Sequence, residues 1–247
     1  MSNLPVVAAP PMSDGYYGKT KVASKAQVKA YPFDLGQVKL LPSAFERAMK
    51  VNQKYLLDLD ADRMLWPYHE RAGLPTKGER YGGWERKDIV GQTTGHYMSA
   101  LSLMYASSGD KRFKERVDYM VSEIAKAQQK HGNGYTGPVR PEVWENIYSG
   151  DLKAHKWGVG GGYVPWYVLH KTFAGLIDGC FHHQLLLRSQ SHSRGGDVDR
   201  DGEVGHLGCE IVERERDARP REDLSEGEPP RGQPGLHGRR PRLPAEL

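Results

Sequence analysis

From Ser43 to Ile177 the apolar residues of this chain return every three or four positions, and no stretch sustains the alternation of a half-buried strand. That period confines the fold to packed helices. Ser43 and Glu46 form an S-x-x-E capping box beside Pro42, and Phe45, Ala48, Met49, Asn52, Tyr55 and Leu56 follow at helical spacing. Asp60 is placed to cap a shorter segment that reaches about Ala72 and is interrupted by Pro67. Tyr97, Ala100, Leu101, Met104 and Tyr105 share one face of the next helix, which ends at Gly109. Asp110 starts another, with Phe113, Val117, Met120, Val121 and Ile124 as its buried stripe. It stops at His131-Gly132-Asn133-Gly134. A short helical piece fits Glu142 to Tyr148. The last helix begins near Pro165 and is expected to line up Trp166, His170, Phe173 and Ile177. The reading is all-α: helical pairs stacked side by side rather than a four-helix bundle.

The connections between these helices are rich in glycine and aromatic residues: YGGW (81–84), GNGYTG (132–137) and WGVGGGYVPWY (157–167). Aromatic rings on glycine-bent loops at one end of a helical scaffold suit a sugar site, because flat apolar rings stack on furanose or pyranose faces. The same rings also serve to cap the core between helices. Both readings stand at this point.

Composition divides the chain at Cys180. All 16 lysines, 13 tyrosines, 5 tryptophans and 7 methionines precede it, whereas residues 181–247 hold 11 arginines, no lysine and a single aromatic, Phe181. The first part carries +6 and the second −2. With few large apolar side chains, the second part reads as an irregular tail. Its Arg-Gly-Pro-His bias is that of GC-rich coding sequence translated out of frame, and a genuine disordered tail is the alternative.

The run FDLGQVKLLPSAFERAMKVNQKYLLDLDADRML, then AGLPTKGERYGGWE, GQTTGHYMSALSLMYASSGD, NGYTG and GGGYVPWYVLHKTFAGLIDG, resembles the β-L-arabinofuranosidase-like glycoside hydrolases of families 127 and 146. The likeness covers Phe33 to Gly179 in order and spacing. It implies an (α/α)6 toroid, of which this segment holds the opening helices, since twelve helices need roughly 200–300 residues. It also implies retaining hydrolysis of L-arabinofuranosides in plant-wall glycans, with a zinc-held cysteine thiolate as nucleophile and a glutamate as acid/base. No cysteine cluster of that kind occurs here: Cys180 and Cys209 stand alone. The expected reading is therefore a truncated, inactive fragment with no catalytic residue and no bound zinc. The domains are a lead-in over 1–33, a partial catalytic domain over 34–180, and the tail over 181–247.

The resemblance carries over substrate-lining residues. His96 in GHY and His170 in LHK match imidazoles that face the sugar, a role suited to a group that both donates and accepts. Trp84 and Trp166 become stacking platforms, and Glu85, directly after GGW, is the carboxylate to examine. Gln92 stands where relatives often show a histidine. Asp88, Glu142, Glu145 and Asp151 lie in or near the loops and read as solvated carboxylates.

The rival functions are a non-catalytic carbohydrate-binding scaffold on the same helices and an Arg-Gly-rich RNA binder. Interleaved acids in ERERDARPRED weaken the second, so no nucleic-acid partner is expected. No run of eighteen apolar residues exists, so no membrane partner is expected either. The start, MSNLPVVAAPPM, lacks a basic n-region, which favours the cytoplasm over the periplasm. An open stack of helices exposes apolar surface, so a poorly stable, aggregation-prone product is expected.

Overall fold

The computed structural model describes residues 33, 35–86, 89–191, 208, 210–212 and 214. The helices with defined bounds are α1 (Ala44–Asp58), α2 (Ala61–Arg71), α3 (Gln92–Ser108), α4 (Lys111–His131), α5 (Pro141–Tyr148) and α6 (Pro165–Ser191). Two 3-10 turns, Leu35–Gln37 and Gly83–Arg86, precede α1 and α3. The chain is mostly helical, in line with the all-α expectation.

The caps are those that local chemistry dictates. The Ser43 hydroxyl accepts from the Glu46 N–H at 3.3 Å. The Asp60 carboxylate accepts from the Asp62 N–H at 2.9 Å, and Asp110 accepts from the Arg112 N–H at 3.1 Å. Each satisfies a first-turn donor that has no intrahelical partner. Gly109 and Gly132 close α3 and α4.

The small departure from all-α is a hairpin, β1 (Gly158–Val159) with β2 (Gly162–Tyr163), paired antiparallel. Its turn residues Gly160 and Gly161 take φ of 62° and 80°. A tight two-residue turn of this hand needs positive φ at both positions, which accounts for the glycine run there.

One expectation changes. Pro67 lies inside α2 without ending it. Its missing N–H forfeits one helical bond, but the surrounding turn is held by the burial of Met64, Leu65, Pro67, Tyr68 and His69. In α6 the buried residues include Val168, Leu169, Thr172, Gly175, Leu176 and Gly179, with Phe173 and Ile177 half-buried, while Trp166 and His170 are exposed.

The reason is a close helix crossing. A β-carbon on Gly95 of α3 would stand 1.9 Å from the Lys171 carbonyl oxygen, and one on Gly175 of α6 would stand 2.6 Å from the Gly95 carbonyl oxygen. Only backbone fits there. Around this crossing lies the core, with Leu65, Tyr68, Met98, Leu101, Phe113, Met120, Ile124 and Leu176 fully buried. Each such side chain contributes about 1.5–3 kcal/mol through removal from water. The Tyr68 hydroxyl hydrogen-bonds the Thr172 hydroxyl at 2.7 Å, and Thr94 donates to the Met64 carbonyl at 2.7 Å. These bonds tie α2 to both crossing helices.

Beyond the composition break, α6 runs on to Ser191. Gly208, Glu210, Ile211, Val212 and Arg214 are helical, and Ile211 is wholly buried in the core. The Gln128 side-chain amide donates to the Ile211 carbonyl at 2.9 Å. The rest of the expected tail, and the lead-in before Phe33, lie outside the described residues. On the opposite flank α1 turns Phe45, Val51 and Tyr55 to solvent, with Phe45 at 77% exposure. Among the described residues no helix is long and apolar enough to cross a membrane.

Candidate functional site

The direction of the crossing gathers the loops. Gly95 meets Lys171 and Gly175, while Gly179 lies within reach of Ser102, further along both helices. Helices α3 and α6 therefore run parallel, and their first turns share one end of the molecule. After the short turn at Gly109, α4 leads back toward that end. There Pro138, just after GNGYTG, lies against Gly91, and Arg71 donates to the Pro138 carbonyl at 3.3 Å. The three glycine-aromatic loops thus surround the starts of α3 and α6.

His96 stands in the first turns of α3, and its Nε2 is 3.5 Å from the Tyr167 hydroxyl of α6. Lys171 places its ammonium 5.1 Å from the centre of the Tyr167 ring. Partial burial pushes the His96 pKa down, and the charges of Lys171 and His170 push it the same way. Both effects favour the neutral form of His96, which has one donor and one acceptor for sugar hydroxyls. His170 is exposed beside this pair. Histidines from two distant segments share one surface. Tyr167 was not singled out in the sequence, although it sits three residues before His170, on the same helical face.

The aromatic residues form the margin. Trp84 is 63% exposed on the Gly83–Arg86 turn. Trp166 is 50% exposed and makes a T-shaped contact with Trp144 of α5, with ring centres 4.7 Å apart. Trp166 is thus held on one side by Trp144 and half open to solvent on the other. Its approach is set by Val164, which takes φ of 43° just before Pro165. A left-handed valine costs about 1–2 kcal/mol. The Val164 N–H donates to the Trp157 carbonyl at 2.8 Å, and its own carbonyl accepts from Tyr167 at 3.0 Å. Those bonds hold the strained residue and aim the first turn of α6.

Glu85 is engaged by backbone. It is buried, its Oε2 accepts from the Gly91 N–H at 2.5 Å, and its Oε1 accepts from the Thr93 N–H at 3.0 Å. The carboxylate caps α3 from outside the helix, because Gly91 at the capping position has no side chain to do so. Gln92 opens the helix beside it and is half-buried. Glu142 and Glu145 are exposed, and Asp151 pairs with Lys153 at 2.9 Å. Asp88 lies outside the described residues.

The family model for the β-L-arabinofuranosidase GH127 catalytic domain matches residues 37–187. The chain belongs to glycoside hydrolase family 127. This GH127 chain therefore has a carbohydrate-active scaffold, and the match takes in Trp84, His96, Trp166 and His170. It also continues past Cys180 into the residues where composition changes. No curated protein matches the chain. Among the described residues no three His, Cys, Asp or Glu side chains converge on one point. Cys180 is buried and disulfide-bonded rather than a free thiol. No chemical step is derived through zinc in this chain.

Proposed function

We propose that these helices form the sugar-recognising opening part of an L-arabinofuranosidase catalytic domain, and that this 247-residue chain alone binds such furanosides without cleaving them. The observation that supports the reading is the meeting of His96, Tyr167 and His170 at the parallel crossing of α3 and α6. His96 and the Tyr167 hydroxyl offer donors and acceptors for ring hydroxyls, and the half-exposed Trp166 ring offers a stacking surface. Trp84 is the second platform in this proposal. Glu85 acts through α3, whose first turn it holds, rather than by touching the sugar. No cysteine thiolate or zinc enters, so hydrolysis has no nucleophile in this chain.

The test is a titration of the full chain with methyl β-L-arabinofuranoside, read from the histidine ring resonances. Saturable shifts of His96 and His170 are expected. His96→Ala and His170→Ala should each weaken binding about tenfold, the equivalent of one lost hydrogen bond of about 1.4 kcal/mol. A 4-nitrophenyl arabinofuranoside with added zinc should release no nitrophenol. Shifts that never saturate would refute recognition, and turnover would refute the non-catalytic assignment. Saturable binding without turnover is also the behaviour of a carbohydrate-binding scaffold, the alternative reading of the same helices.

A further inference from the structure

A second polar centre lies between α2 and α4, on side chains that take no part in the proposed sugar site. Its floor is Glu123 of α4 and His69 of α2, both buried. Glu123 Oε1 accepts from Lys126 Nζ at 2.5 Å, and Oε2 accepts from Lys77 Nζ at 3.3 Å. Lys77 also donates to the Tyr119 hydroxyl at 2.7 Å and lies 3.7 Å from Asp62. Tyr119 in turn donates to Asp62. Lys130, one turn beyond Lys126, has no ion pair among the described residues. Three ammonium groups thus face two carboxylates, leaving positive charge in excess.

His69 is the unexplained member. It is 2% exposed, and its Nδ1 has no hydrogen-bond partner. Its Nε2 lies 3.0 Å from Glu123 Oε2, so the Glu123 carboxylate is the acceptor nearest that nitrogen. A buried ring nitrogen without a partner costs about 1–3 kcal/mol. The ring borders a pocket of about 580 Å³, lined also by Leu74, Lys77, Glu123, Lys126 and Lys130. That volume suits a small molecule. Among the described residues no Phe, Tyr or Trp lines it, so it lacks the broad stacking plane of a sugar subsite.

We infer that this pocket binds a small oxyanion, a phosphate or carboxylate group, against Lys126, Lys130 and the His69 ring. An anion there balances the surplus ammonium charge of Lys126 and Lys130, which a cation does not. Because the pocket uses neither His96 nor His170, it stands independently of the proposed furanoside site.

The experiment is a titration of the full chain at pH 7.5 with inorganic phosphate and, separately, with glucuronate, read from the His69 ring nitrogens. A saturable shift is expected with at least one, and the tighter of the two names the source of the oxyanion. Lys126→Gln and Lys130→Gln should each weaken it about fivefold, as loss of a partly exposed charge contact does. Lys50→Gln, on α1, should leave it unchanged. The absence of a saturable shift with both anions overturns the site. So does unaltered binding in both pocket variants, or an equal loss in Lys50→Gln, which would mark general attraction to a basic surface. Lys130 is exposed and outside the ion-pair network, so its variant keeps the test valid even if a floor substitution unfolds the chain.

Discussion

Gly95 of α3 and Gly175 of α6 are in backbone contact: a β-carbon on Gly175 would lie 2.6 Å from the Gly95 carbonyl oxygen and 2.9 Å from its α-carbon. Both glycines belong to the motifs, GHY and FAGL, that carry the family likeness. The motifs therefore encode a crossing as much as a surface. The crossing brings His96 beside Tyr167 and His170.

Gly95→Ala and Gly175→Ala should each force the helices apart. Overpacking of this kind costs about 1–3 kcal/mol. At about 2–4 °C per kcal/mol, calorimetry should show a clear drop in Tm. Furanoside binding should fall further than the stability loss explains, because His96 and Tyr167 move apart. Wild-type Tm in both variants would refute the close crossing.

Glu85→Ala removes a cap that satisfies two backbone donors. The expected cost is about 1–2 kcal/mol, seen as a lower midpoint in denaturant. Glu85→Gln should recover only part of it, since one amide oxygen replaces two carboxylate oxygens. Loss of sugar affinity with unchanged stability would instead place Glu85 on the substrate.

Acid should destabilise the fold. Burial pushes the pKa of His69 and His131 below the ordinary 6.5. Above that value both states hold neutral rings and their contribution to stability is intact. As pH falls from 6.5 toward the folded values, the unfolded chain binds protons that the native state refuses, and stability is lost. Thermal unfolding between pH 7.5 and 5 should show a falling Tm, with a shallower slope in His69→Gln. A Tm that holds steady or rises across that range would contradict the burial of neutral rings.

Ile211→Ala tests whether the chain beyond the composition break belongs to the fold. Ile211 is wholly buried among core residues, so the truncation should cost about 2–5 kcal/mol. If the same change leaves urea unfolding untouched, the segment is not packed against Leu176 and Gln128.

Much of the fold was legible in the sequence because it rests on local chemistry. Ser43, Asp60 and Asp110 cap the helices they precede, and the α4 stripe from Phe113 to Ile124 is buried as its spacing requires. In α6 apolar residues lie on both sides of the helix, so periodicity alone does not choose the packed face. The small residues Gly175 and Gly179 mark the side that approaches α3.

By itself the sequence determined the helical class, the caps, the breaks between helices and the family motifs, because each depends on residues within a turn or two of one another. The tertiary structure decided what those motifs do. It turned Glu85 from a loop carboxylate into a cap and put His96 beside Tyr167 and His170. It also buried His69 against Glu123. Each of these depends on which helices cross and in which direction, a choice made by close packing between segments far apart in the chain.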